Sequence, residues 1–118
     1  MFRKTIDKVK KDLMTGMYTL LVLLILDRKG PSYGFEIMKI IREKSHNMFA
    51  PSDSTIYNIL HGLEKQGYVS SYWAEAVSGP PRRYYEITEK GRELLKEMMY
   101  LTKEIYDLIS RIGGDRAC

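Results

Sequence analysis

The stretch SDSTIYNILHGLEKQGYVSSYWAEAVSGPPRRYYEIT, residues 52–88, decides the fold. Its first part carries Ile56, Ile59, Leu60 and Leu63 at the i, i+3, i+4, i+7 spacing of a helix with one buried face. Ser52 can cap that helix and Gly67 can end it, which predicts a helix from about Asp53 to Gln66. Two runs rich in aromatic and β-branched residues follow, Tyr68–Glu75 and Arg83–Ile87, separated by Ser78, Gly79, Pro80 and Pro81. They predict a β-hairpin with a long tip. A helix leading directly into a hairpin is the second half of a winged helix-turn-helix, in which the helix can enter the DNA major groove while the ribbon touches the flanking backbone.

Working toward the N-terminus, Ser32 can cap another helix over roughly Tyr33–Lys44, with Ile37, Met38, Ile40 and Ile41 turned inward. Ser45 to Pro51 reads as the connection between the two. Before them lies an apolar helix from about Ile6 to Asp27, ended by Arg28, Lys29, Gly30 and Pro31. Leu13, Met17, Leu20, Leu21 and Leu24 keep helical spacing, but Val22, Leu23, Ile25 and Leu26 fill the other faces. Such a helix is buried on more than one side, which points to a subunit contact as well as a core.

Working toward the C-terminus, Thr88 can cap a last helix reaching about Ile112, before Gly113 and Gly114. Leu94, Met98, Leu101, Ile105, Leu108 and Ile112 alternate steps of four and three, a heptad seam. That seam wants another helix, and a symmetric dimer supplies one. The expected chain is mainly α with a small β-hairpin: a winged helix-turn-helix unit over residues 1–87, a dimerisation helix over 88–112 and a flexible tail over 113–118. The dimer surface is expected from Leu20, Leu24, Leu94, Met98, Leu101, Ile105, Leu108 and Ile112.

The chain has 118 residues, 44% apolar and 29% charged, enough for one globular domain. Its net charge is +4, with the excess in residues 1–59, which hold 10 basic and 6 acidic side chains against 9 and 9 in the remainder. A mild basic balance suits a polyanionic partner without proving one. Cys118 is the single cysteine, so no internal disulfide forms. With two histidines, His46 and His61, no structural zinc cluster can be built, and no cofactor is expected. No Ser/His/acid trio and no phosphate-cradling glycine loop stands out, so no catalytic residue is assigned. The longest apolar run is far shorter than the roughly 20 residues of a membrane span, and no signal peptide opens the chain. The expected setting is cytoplasmic.

The outward face of the third helix carries Ser54, Tyr57, Asn58, His61 and Lys65, donors and acceptors with few charges. Exposed helical faces favour Glu, Lys and Arg instead. With Ser52 and Thr55 at the helix start, these residues form the expected DNA-reading set, because Asn can pair bidentately with adenine and hydroxyls serve base edges and phosphates. Arg82 and Arg83, beside Tyr84, are expected to hold phosphates from the ribbon. The basic residues Arg3, Lys4, Lys8, Lys10 and Lys11 fit a DNA contact and a solvated helix face equally well.

Three motifs together resemble the PadR family of winged-helix transcriptional regulators. Tyr33-Gly34-Phe35-Glu36-Ile37 is similar to the family's His-Gly-Tyr-Glu-Ile element. Ser54-Thr55-Ile56-Tyr57, then Leu60, Leu63-Glu64 and Gly67-Tyr68-Val69, resembles its recognition helix, with Asn58 where the family often carries proline. Arg82-Arg83-Tyr84-Tyr85-Glu86-Ile87-Thr88-Glu89-Lys90-Gly91-Arg92 resembles the second wing strand and the entry to the last helix. The resemblance spans about residues 15–95. It implies a homodimer built from the first and last helices that represses transcription at palindromic operators.

Some relatives hold flat aromatic drugs between tryptophans of the last helix. Here Trp73 is the only tryptophan and sits on the first wing strand, so that site does not carry over. Met14, Met17, Met98 and Met99 could still line a dimer cavity for a small aromatic effector, with dry packing as the alternative. A helical dimeric interaction module that never touches DNA is the competing function.

Overall fold

The computed structural model describes residues 1–114. In chain order it contains α1 (Phe2–Lys29), β1 (Ser32–Tyr33), α2 (Gly34–Lys44), α3 (Asp53–Lys65), β2 (Val69–Ala74), β3 (Arg82–Ile87) and α4 (Glu89–Gly113). The expected hairpin is present, with Val69 opposite Ile87 and Ala74 opposite Arg82. It gains a third strand, however: Ser32 and Tyr33 pair antiparallel with Tyr85 and Tyr84, giving the order β1-β3-β2. Ser32 is therefore not the cap of α2. Its hydroxyl donates to the Gly30 carbonyl at 2.9 Å, and Tyr33 is the residue that precedes the helix.

The other punctuation follows local chemistry. The Ser52 hydroxyl accepts from the Thr55 backbone N–H, and that of Thr88 accepts from Gly91. At the end of α3, Gly67 adopts a left-handed φ of 84°, which lets its N–H reach the Glu64 carbonyl and that of Tyr68 the Leu63 carbonyl. This pair of bonds turns the chain directly into β2. The helix runs unbroken across Asn58.

The core collects Leu20, Val22, Leu23 and Leu26 of α1, Ile37, Met38 and Ile41 of α2, and Ile56, Leu60 and Leu63 of α3. Val69, Tyr85 and Ile87 of the sheet and Leu95 of α4 close it. Leu20, expected at the dimer surface, is 4% exposed and belongs to this core, because its side of α1 faces the other helices. The two ends of the molecule are different. Met1 to Leu13 are all exposed, and α4 is buried only at Gly91 and Leu95. The last helix extends through Gly113, one residue past its expected end, with Gly114 as its cap. The rest of the expected tail, including Cys118, lies outside the described residues.

Candidate nucleic-acid interface

Helix α3 turns its apolar stripe inward, so Ser54, Tyr57, Asn58, His61 and Lys65 are all exposed, as their helical spacing predicts. Tertiary packing then divides that face. The Tyr57 ring lies against the start of α2, where a Cβ on Gly34 would come within 2.8 Å of Cζ; only glycine leaves room for it. His61 stands beside Tyr57, with ring centroids 6.3 Å apart. Asn58 borders the opposite flank, a groove formed with Thr19 of α1 and Leu94 of α4. Ser52 and Thr55 serve the helix itself: their hydroxyls lie 3.0 Å apart in the capping turn.

The wing presents two faces because successive side chains alternate along a strand. On one, Tyr72 and Tyr84 stack at 5.8 Å, Tyr33 meets Tyr84 edge-on at 5.4 Å, and the Arg82 guanidinium sits 4.5 Å above the Tyr33 ring. Arg82 has no acidic partner among the described residues and is exposed. On the other face, Arg83 points at α3. Its Nη2 donates to Glu64 Oε1 at 2.9 Å and its Nε to Ser71 Oγ at 3.0 Å.

The two arginines expected to act alike are therefore split, one free and one tied to the helix. Between α3 and the wing lies a cleft of about 280 Å³ lined by Tyr33, Tyr57, His61, Trp73, Pro81, Arg82, Arg83 and Tyr85. Burial pushes the Tyr85 phenol above its ordinary pKa, so it stays neutral at the cleft floor. Sequence reasoning missed Glu64, Ser71 and Gly34 here. Period-two alternation could have separated Arg82 from Arg83, but no local signal names their partners.

The basic arm is also divided. All five are exposed, but Lys8 pairs with Asp12 at 2.8 Å and Lys10 donates to the Met48 carbonyl at 2.8 Å. No group of three metal-ligating side chains occurs among the described residues.

A second surface is apolar. On α4, Leu94 and Met98 are half-buried against the core, whereas Leu101, Ile105, Leu108 and Ile112 are 54%, 59%, 48% and 78% exposed. On α1, Leu24 is half-buried and, with Leu21, Ile25, Ile40, Ile41 and Phe49, lines a groove of about 550 Å³. From Phe49 the groove continues along Ile6, Val9, Leu13, Met14 and Met48. Among the described residues, no helix is long and apolar enough to cross a membrane.

Three helices, a three-stranded wing and an outward polar face on the helix before the wing define a winged helix-turn-helix protein. The chain belongs to the transcriptional regulator PadR-like family, whose profile matches residues 22–97. It is similar to a transcriptional regulator from Clostridium thermocellum, 32% identical, covering 85% of this chain and 93% of that one with a TM-score of 0.78. A PadR-like transcription factor from Bacteroides fragilis is 31% identical over 90% of this chain and 99% of its own, with a TM-score of 0.72. Bacillus subtilis PadR, solved in complex with operator DNA, shares the fold at 22% identity and a TM-score of 0.62, over 69% of this chain and 46% of that one. This is a family of regulators and not of enzymes.

Proposed function

We propose that this chain is a sequence-specific DNA-binding repressor that works as a homodimer on a palindromic operator. The observation that carries the reading is the exposed polar face of α3 beside a wing whose Arg82 is unpaired among the described residues. Ser54, Asn58, His61 and Lys65 read base edges in the major groove; Arg82 and the wing hold the flanking backbone. Bacillus subtilis PadR, a structural neighbour, binds operator DNA. A repressor needs no further chemistry, since a bound dimer blocks the DNA it covers.

The dimer follows from two unmatched apolar surfaces. The Leu101, Ile105, Leu108 and Ile112 stripe of one copy enters the α1 groove at Leu21, Leu24 and Ile25 of the other, and the two-fold repeats the contact. The unit over residues 1–87 then reads DNA, and the helix from residue 88 onward dimerises. Half-buried Met17 and Met98, with exposed Met99, give the seam adaptable walls for a planar aromatic effector that releases the DNA.

Selection from a random duplex library, read by sequencing, tests the function. The expected product is an inverted repeat with half-site centres about one helical turn, roughly 10 bp, or a multiple apart. Absence of any enriched sequence would overturn the reading and favour a dimeric interaction module without DNA binding.

A further inference from the structure

The wing is anchored to the core at its base, by buried Val69, Tyr85 and Ile87. Farther out, Trp73 is 66% exposed, and among the described residues no buried apolar side chain holds the ribbon against α3. One polar assembly does so instead. Arg83, paired across the strands with Trp73, sends its guanidinium back to α3, where Nη2 donates to Glu64 Oε1 at 2.9 Å. Its Nε donates to Ser71 Oγ at 3.0 Å, and the Ser71 hydroxyl donates to Glu64 Oε2, closing a ring of three side chains. The guanidinium also lies 5.8 Å from the Trp73 ring and 5.6 Å from that of Tyr85.

We propose that Arg83 is a positioning residue whose bridge to Glu64 and Ser71 fixes the angle between the wing and the reading helix. It thereby sets the spacing between base contacts and backbone contacts on DNA. The proposal rests on the DNA-reading function above. Its lever is short but sufficient: at about 3.3 Å per residue Arg82 lies about 10 Å beyond Tyr85. A swing of about 15° would move Arg82 by roughly 2.5 Å, more than a phosphate hydrogen bond tolerates. Glu64 gives the idea its sharpest consequence. A carboxylate on the reading helix repels a polyanion, so by charge alone its removal should tighten binding to every sequence. As part of the bridge, its removal should loosen binding to the preferred one.

Arg83→Met and Glu64→Gln, singly and combined, separate these outcomes. Time-resolved fluorescence anisotropy of Trp73, the only tryptophan, reads the wing directly and needs no DNA. Both variants should show a wider local wobble with unchanged far-UV circular dichroism. On the library-selected duplex each should bind about tenfold more weakly, a coupling of about 1.4 kcal/mol, while random DNA is affected far less and the salt slope stays as in the parent. The double variant should be no weaker than either single one, because one bridge is lost once. Unchanged anisotropy in both variants overturns the proposal. So does tighter operator binding by Glu64→Gln, or a salt slope lower by about 1 in Arg83→Met, which would make Arg83 a phosphate contact. If the parent protein selects no duplex, the DNA-reading function falls, and the anisotropy alone decides the bridge.

Discussion

Ile105→Lys places a cation in the middle of the α4 stripe, and the structure says what that should cost. Ile105 is 59% exposed on the isolated chain and takes no part in its core. Fully burying an isoleucine contributes about 1.5–3 kcal/mol, so about 1–2 kcal/mol remains to be gained at each Ile105 when a partner covers it. A two-fold interface contains the residue twice, which makes the loss about 2–4 kcal/mol per dimer. Each lysine adds a desolvation cost that snorkelling toward water reduces but does not abolish. A total of about 4 kcal/mol weakens dimerisation by about 1,000-fold. The fold itself should survive, because Gly91 and Leu95, not Ile105, dock α4 on the body. Sedimentation velocity at micromolar concentration should therefore show a folded monomer, with far-UV circular dichroism intact. Ser110→Lys, on the flank of α4 away from the seam, should remain a dimer. A folded Ile105→Lys protein that sediments as the parent dimer would refute the interface.

The base and backbone contacts should fail differently. Asn58→Ala should cost about 1–3 kcal/mol on the selected duplex and almost nothing on random DNA, whereas Arg82→Ala should weaken both and lower the salt slope by about 1, as filter-binding titrations would show. Gly91→Ala should destabilise the fold by about 1–3 kcal/mol in urea, since a Cβ there collides with the Tyr68 carbonyl and lies 2.7 Å from Ile87 Cγ1; an unchanged midpoint would mean α4 can lift off freely. The buried Tyr85 phenol, like that of Tyr18, holds its proton more tightly in the folded chain. Its contribution is fully present below the unfolded phenol value of about 10 and is lost as pH rises through the higher folded value, so Tyr85→Phe should flatten the alkaline limb of a stability–pH curve.

Features written in local chemistry were legible in the sequence. The Ser52 and Thr88 caps, the Gly67 turn and the single apolar stripe of α3 each depend on residues within a few positions of one another. Features that depend on distant partners were not. Strand β1 is two residues long and exists only because Tyr84 and Tyr85, far along the chain, accept it as a neighbour. The fate of Arg83 is set by Glu64 and Ser71, which lie 19 and 12 positions away. Asn58 falls on the outward face by its spacing, but whether it looks toward the wing or toward α1 and α4 is decided by packing.

Helix α1 shows why an all-round apolar helix is ambiguous in sequence and what the ambiguity serves. Leu20 and Leu24 are one turn apart, yet Leu20 is sealed in the core and Leu24 lines the outer groove. The inner side of α1 packs against α3 and the wing, through Leu20, Val22, Leu23 and Leu26. In the proposed dimer its outer side receives the partner's α4. In that dimer a single helix would lie between each reading helix and the two-fold axis. A shift of the partner stripe within the groove would then push on α1, and through the core they share, on α3. If the chain dimerises this way, half-site spacing would depend on the seam as much as on the reading face. An effector wedged beside Met17 and Met98 would need to move neither Asn58 nor Arg82 relative to its own domain. Moving the two domains apart by a few ångströms would suffice to take one reading helix out of register with the other.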